Sequence, residues 1–521
     1  MRSLLRAAGR WRVPLTPAAC GLSLFLLSLA VLWQNALTNP LHESDSALFA
    51  NMARELAAAP VRTWMRMGGQ WEWLFYEKPP LILWVEAAFM RLFGPVSQAA
   101  MFPTLAASHL TVWLVYRIGR KLVDREFGFL AALILILTPW FIKLGRLPKI
   151  EPLLMFFMTL TLYWGMELRR GPRYVLGTGL ALALAFLAKG PPALAVLPVL
   201  AVYGAVAPPG AGGGGGRAFP WGRLALAVLV ALGLLALVDL WHYRLAGVSY
   251  WKRLLTQQLV PGVLTGREQA GLAKARSPFY YFRILGVRYW PWLPVLLAGL
   301  AAPWLTGRGG RRGRGEAERA PLVRAWAFGL TQAGTLLIGF SLVPKKWAFY
   351  LHPYHVGLSL LTAIPVYLLL RRRREVYGSL AAGGVVLALV LFILASVFPP
   401  LFSPHPRPKL NALIRLGEQL RRTGQRIDTL QLANVCNRIG HWSLRWPARF
   451  YLDVKTLTCG TRPEGYRLVD VRGDRSYERD GSRVRALSYP YVVVERRGGT
   501  PARGNGEGEA VRPPESRRGK P

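Results

Sequence analysis

A succession of apolar runs, each near the length that crosses a bilayer, constrains this chain more than anything else in it. Residues 22–33 form the core of the first run. Runs at 127–142, 152–168, 174–188, 193–206, 224–241, 290–305, 323–343, 347–370 and 379–398 follow, and the less uniform stretch 99–116 belongs with them. A hydrocarbon core about 30 Å thick takes roughly 20 helical residues to span. Helices satisfy their own backbone in lipid, so these runs predict an all-α polytopic membrane protein of about eleven transmembrane helices. The mean hydropathy of +0.25, with 52% hydrophobic residues, is rarely reached by soluble domains.

The net charge of +39 points the same way once its distribution is read. It falls mostly on arginine, in short blocks between the apolar runs at 117–125, 169–173, 308–319 and 371–374. Cytoplasmic loops carry such blocks. A nucleic-acid binder would show a recognisable module or a basic stripe with interleaved aromatics, and neither is present, so nucleic acid is not an expected partner. Arg2, Arg6, Arg10 and Arg12 precede the first run without a small-residue cleavage site, which predicts a retained signal anchor with its N-terminus inside.

Loop charge then decides which segments share a side. The apolar stretch 81–93 has about 13 residues, too few to cross comfortably. If it crossed, the later basic blocks would fall outside. Laid along the membrane surface, it leaves every block inside. The outer side then collects 38–96, 143–151, 189–192, 243–289, 344–346 and everything beyond about 399. The expected organisation is a membrane domain over 1–398, N-terminus in and C-terminus out, with extracytoplasmic juxtamembrane helices and 38–96 as the first outer loop. A small α/β extracytoplasmic domain over 399–496 follows, with an amphipathic helix at 410–422 and strands at 430–435 and 489–495. A basic, Gly- and Pro-rich tail, 497–521, is expected to be disordered. Cys436 and Cys459 are the only cysteines in the outer domain, a disulfide candidate or two unpaired thiols.

The candidate chemistry sits in the outer loops. Asp45 opens an amphipathic stretch, 46–56, in which Leu48, Phe49, Met52 and Leu56 recur at helical spacing. Ser44 or Asp45 can serve as its N-cap. A carboxylate at the mouth of a membrane cavity also suits a general base for an acceptor hydroxyl or amine. In Glu77-Lys78-Pro79-Pro80, the prolines fix the backbone ahead of the surface helix. Lys78 offers a compact charge to a phosphate. Glu77 can orient Lys78 or take a divalent cation through oxygen, or the two can form a plain surface ion pair. Arg146, Lys149 and Glu151 crowd the second outer loop, and Lys345 and Lys346 stand beside Trp347 and Tyr350. These cations can form a solvated rim or gather a lipid-linked phosphate. The seven histidines show no metal-ligand spacing.

Two segments resemble C-type membrane glycosyltransferases, nearest to the aminoarabinose transferases of lipid A and the bacterial enzymes like protein O-mannosyltransferases. They are Asp45-Ser46-Ala47-Leu48-Phe49-Ala50 with Ala53-Arg54-Glu55-Leu56, and Tyr76-Glu77-Lys78-Pro79-Pro80-Leu81 with Trp84 and Phe93-Gly94. The likeness continues through Lys189-Gly190-Pro191, the 280–292 segment and 346–353, and covers roughly residues 20–370. It implies a polyprenyl-phosphate-linked sugar as donor, a lipid A, protein or glycan acceptor, and inverting transfer at the outer face of a bacterial inner membrane. The family's catalytic aspartate falls on Asp45, its phosphate-contacting lysine on Lys78, the adjacent acid on Glu77 and the second-loop acid on Glu151, where many relatives carry Asp. Arg146, Lys149 and Lys346 join Lys78 as expected donor-phosphate cations. The sequence departs at Ser46, where relatives often have Glu. Gln257 and Gln258 stand near the place of the family's metal-side histidine, so no cofactor is firmly expected beyond a divalent cation that Glu77 could take. The rival class is a polytopic lipid or sugar transporter, which more often carries mid-membrane ionisable sites and an internal repeat.

Overall fold

The structure is a computed structural model that describes residues 16–33, 40–41, 43–65, 76, 78–206, 219–256, 260, 277–307, 314–343, 346–397, 408–424, 427, 429–432, 442–454, 456–459, 465–470, 482–488 and 491–496. It divides into two units, Met1–Pro406 and Arg407–Pro521.

The first unit is helical. It opens with α1 (Pro17–Ser28), α2 (Ser44–Ala58), α3 (Leu81–Phe93), α4 (Ser97–Leu122), α5 (Arg125–Ile136) and α6 (Pro139–Gly145). Next come α7 (Ile150–Gly165), α8 (Pro172–Lys189), α9 (Val196–Val206), α10 (Trp221–Ala246), α11 (Tyr250–Leu254) and α12 (Tyr280–Arg288). It closes with α13 (Leu293–Gly307), α14 (Arg314–Leu342), α15 (His355–Leu370) and α16 (Arg374–Val397).

Among the described residues, five helical stretches are long and apolar enough to cross a membrane: Ser97–Leu122, Trp221–Ala246, Arg319–Leu342, Ala348–Leu370 and Glu375–Leu394. Two bent pairs raise the number to at most seven, and Pro17–Trp33, Ile150–Gly165 and Pro191–Val206 are shorter apolar helices. The run at 127–142, expected as one span, is such a pair, with α5 and α6 meeting at 68°. Pro139 lacks an N–H and disfavours helix at the residue before it, so the chain turns at Leu137-Thr138. The Thr138 hydroxyl donates back to the Ile134 carbonyl at 2.7 Å. The 280–303 stretch breaks by 78° at Trp290-Pro291-Trp292, for the same reason.

Small residues let helices approach closely where lipid gives no hydrophobic drive between them. A Cβ on Gly128 would lie 2.4 Å from the Tyr116 carbonyl oxygen, and one on Gly119 would lie 2.7 Å from Gly128 Cα. Helices α4 and α5 therefore touch backbone to backbone. Gly128→Val is expected to cost about 1–3 kcal/mol or more through overpacking. Thermal unfolding in detergent measures it, and an unchanged midpoint would refute so close an approach.

The stretch 81–93 forms α3, a 13-residue helix that starts after Pro80 and ends at Gly94, whose φ is +86°. It packs against α2. Leu81, Ile82, Leu83, Ala87 and Met90 are buried, while Leu92 and Phe93 stay exposed. At the loop joining α4 to α5 and the loop joining α7 to α8, the basic blocks close on each other. Lys121 and Arg170 both pair with Glu167, at 2.6 and 2.7 Å. Arg117 donates to the Tyr163 hydroxyl at 2.6 Å.

The second unit holds α17 (Pro408–Arg422), β1 (Thr429–Leu432), α18 (Trp442–Leu452), β2 (Thr456–Cys459), β3 (Gly465–Asp470), β4 (Arg483–Ser488) and β5 (Tyr491–Arg496). The sheet order is β2-β1-β3-β5-β4. β1 pairs in parallel with β2 and β3, and β5 pairs antiparallel with β3 and β4. A parallel β1–β2 pair needs a crossover, which α18 supplies. Leu413, Leu416 and Leu420 of α17 bury against Leu430, Leu468 and Val493. Cys459 ends edge strand β2, and Cys436 lies outside the described residues.

Candidate functional site

Helix α2 starts at Ser44 with Glu43 as its N-cap residue, and no side chain caps it. The sequence allowed Ser44 or Asp45 as the cap, and neither fills that place. Asp45 lies in the first turn and is exposed. No hydrogen bond or ion pair reaches its carboxylate among the described residues. The helix dipole complements a negative charge there.

The neighbouring acids are engaged. Glu43 forms an ion pair with Lys149, the N-cap residue of α7. The Lys149 ammonium also lies 4.4 Å from the centre of the Phe349 ring. Burial works against its charge, but Glu43, then Glu151 and Asp45, more than offset that, so Lys149 titrates above its ordinary value. Glu151, in the first turn of α7, pairs with Lys189 at 2.5 Å, with side chains 5% and 9% exposed. Lys189 is the last residue of α8, and its ammonium lies 4.0 Å from the centre of the Tyr350 ring. Gly190 ends that helix at φ +79°, and a Cβ there would meet Pro79 Cγ at 3.9 Å. A side chain at that φ is strained. Glycine thus lets the chain leave α8 directly beside the Glu-Lys-Pro-Pro segment.

Lys78 is half-buried, and no partner for its ammonium stands among the described residues. Its charge and that of Lys149 both act on Lys189. It shares a small pocket with Leu48, Phe49 and Met52 of α2 and Ile82 and Leu83 of α3. Its backbone is held from far along the chain, since the Tyr250 hydroxyl donates to the Lys78 carbonyl at 2.9 Å. Asp239 fixes the start of α11 by accepting from the Tyr250 N–H at 2.7 Å and the Ser249 hydroxyl at 3.0 Å. His242 meets the Tyr76 hydroxyl at 3.1 Å.

Asp45, Lys78, Lys149 and Glu151 therefore belong to one cluster. Two other expected cations bind backbone carbonyls. Arg146 donates through Nε to the Val31 carbonyl at 2.7 Å, closing the π-turn Leu29–Trp33 after α1. Lys346 is buried and donates to the Val343 carbonyl at 2.6 Å. Glu77, Gln257 and Gln258 lie outside the described residues. Among the described residues no group of three His, Cys, Asp or Glu could hold a metal. Lys189 is the site residue that sequence reasoning missed. Its signal was there, a lysine closing an apolar run just before Gly190-Pro191 in an outer turn.

A family model described as dolichyl-phosphate-mannose-protein mannosyltransferase matches residues 77–236. An undecaprenyl phosphate-alpha-4-amino-4-deoxy-L-arabinose arabinosyl transferase of Sodalis glossinidius is 28% identical over 375 residues, 66% of this chain and 59% of that one. Its counterpart in Edwardsiella ictaluri is 26% identical over 62% of this chain and 55% of that one. These comparisons bear out the resemblance to the C-type membrane glycosyltransferase superfamily. The resemblance runs to aminoarabinose transferases and mannosyltransferase-like proteins. It spans little more than half the length of these curated relatives. The C-type fold carries through the structure. ArnT from Cupriavidus metallidurans bound to undecaprenyl phosphate superposes with a TM-score of 0.62 at 16% identity, covering 90% of this chain and 97% of that one. Its apo form gives 0.58, again at 16% identity, over 92% of this chain and 98% of that one. The chain is thus a multi-pass membrane protein by its helices and its fold.

Proposed function

We propose that this chain transfers a sugar from a polyprenyl-phosphate donor to an envelope acceptor, with inversion, at the outer face of a bacterial inner membrane. One observation carries the reading. In a cluster where Glu43 and Glu151 are each tied to a lysine, the Asp45 carboxylate and the Lys78 ammonium are without partners among the described residues. A free base and a free cation are what such a transfer needs. The relatives named for undecaprenyl-phosphate sugar transfer, and the likeness to ArnT with undecaprenyl phosphate bound, support the donor class.

In this reading an acceptor hydroxyl attacks the anomeric carbon as Asp45 takes its proton. The bond from that carbon to the phosphate oxygen breaks, and its electron pair leaves with the polyprenyl phosphate. That leaving group needs cations rather than a proton. Lys78 meets its developing charge, with Lys149 and Lys189 behind it. Glu151 holds Lys189 in place and does not itself move the proton. Arg146 and Lys346 serve the frame, since each is bound to a backbone carbonyl. No step is routed through a metal.

The test uses purified protein in vesicles supplied with a radiolabelled polyprenyl-phosphate sugar. Free polyprenyl phosphate and labelled acceptor are expected. Charge-assisted hydrogen bonds contribute about 1.5–3 kcal/mol, so Lys78→Gln is expected to weaken donor use about ten- to a hundredfold. Label that crosses the membrane with its sugar–phosphate bond intact would establish a transporter instead.

A further inference from the structure

The two bent pairs meet around one indole. Trp140 lies in α6, the short arm of the first pair, and Arg288 ends α12, the short arm of the second. The Arg288 guanidinium carbon lies 4.2 Å from the centre of the Trp140 ring, and the Lys143 ammonium lies 5.3 Å from the same ring. Each contact is a cation–π interaction. No carboxylate reaches either cation among the described residues. The Nε of Arg288 is also sealed from solvent without a hydrogen-bond partner. Two like charges on one ring, with a buried donor left over, are costly unless an anion joins them.

The surroundings say where that anion comes from. Beside Arg288 the chain exposes Phe279 at 74%, Phe282 at 55% and Trp290 at 69%. Exposed aromatics at the bend of a broken span suit the headgroup level, where ring bodies face acyl chains and cations face phosphates. The cluster adjoins the Lys78 site through Phe349, which packs against the Trp140, Leu144 and Leu147 group and lies 4.4 Å from the Lys149 ammonium, but it shares no cation with that site.

We infer that Lys143, Arg288 and Trp140 form a binding site for the phosphate of an anionic membrane phospholipid. The phosphate bridges the two cations, and the acyl chains lie over Phe279, Phe282 and Trp290. The site needs no turnover and does not rest on the transfer reaction.

Delipidated full-length protein is titrated with phosphatidylglycerol or phosphatidylcholine of identical acyl chains, and bound lipid is counted by native mass spectrometry. Phosphatidylglycerol is expected to be retained at least tenfold more strongly. Arg288→Gln and Lys143→Gln should each remove most of that preference, and Arg173→Gln, a control in another loop, should keep it. Lys143 is exposed, so its variant tests the site even where Arg288→Gln fails to fold. Equal retention of the two lipids overturns the site, as does a preference untouched by Lys143→Gln. Displacement of the lipid by millimolar inorganic phosphate would make this a small-anion site and overturn the lipid as its occupant.

Discussion

Asp45→Asn is expected to lower sugar transfer about 10²- to 10⁴-fold, the usual contribution of a positioned general base. The asparagine keeps the shape and removes the proton acceptor. The fold depends little on that carboxylate, because it caps no helix, is exposed, and receives no hydrogen bond or ion pair among the described residues. The variant should therefore melt with the wild type and still bind donor. This separation is the point of the experiment. A misfolded variant would lose donor binding and activity together. Unchanged transfer by Asp45→Asn would remove the proposed base and leave Glu43 or Glu151, both tied to lysines, as poorer alternatives.

Lys189→Met is expected to destabilise the protein by about 3–5 kcal/mol, because it strands Glu151 as an uncompensated buried charge. The second half of the experiment is more telling. The double variant Lys189→Met with Glu151→Gln removes both charges and should recover most of the lost stability. Its activity is expected to stay low, since the cation behind Lys78 is gone. Thermal unfolding and donor turnover, measured on both variants, separate the two roles. If the double variant recovers turnover as well as stability, the pair is structural only. If the single variant is as stable as the wild type, Glu151 has another partner.

Much of this was legible before any coordinates. Apolar runs gave the helical membrane class, because lipid leaves a backbone few other ways to satisfy itself. The 13-residue length of 81–93 predicted a helix too short to cross, and α3 is that helix. Asp45 and Lys78 stood out as charges among apolar neighbours. What sequence did not show was pairing. Arg146 and Lys149 are three residues apart and looked alike, yet one binds the Val31 carbonyl and the other Glu43. Such choices depend on helix ends over a hundred residues apart. The break at Thr138-Pro139 was also misjudged, since hydropathy averages over a bend that proline imposes locally. In the second unit, β2, β3 and β4 were missed because short strands carry little periodicity.

The hydrogen bond from Tyr250 to the Lys78 carbonyl bears on modularity. The best-matching motifs lie in one short stretch near the N-terminus, which invites treating that stretch as a transferable cassette. Yet the backbone of Lys78 is steadied by a residue 172 positions later, itself moored to Asp239. A chimera that grafts only residues 43–80 onto another scaffold would import the lysine without its mooring. The smallest unit that can be exchanged intact runs from α2 through α11, and a working graft has to carry all of it.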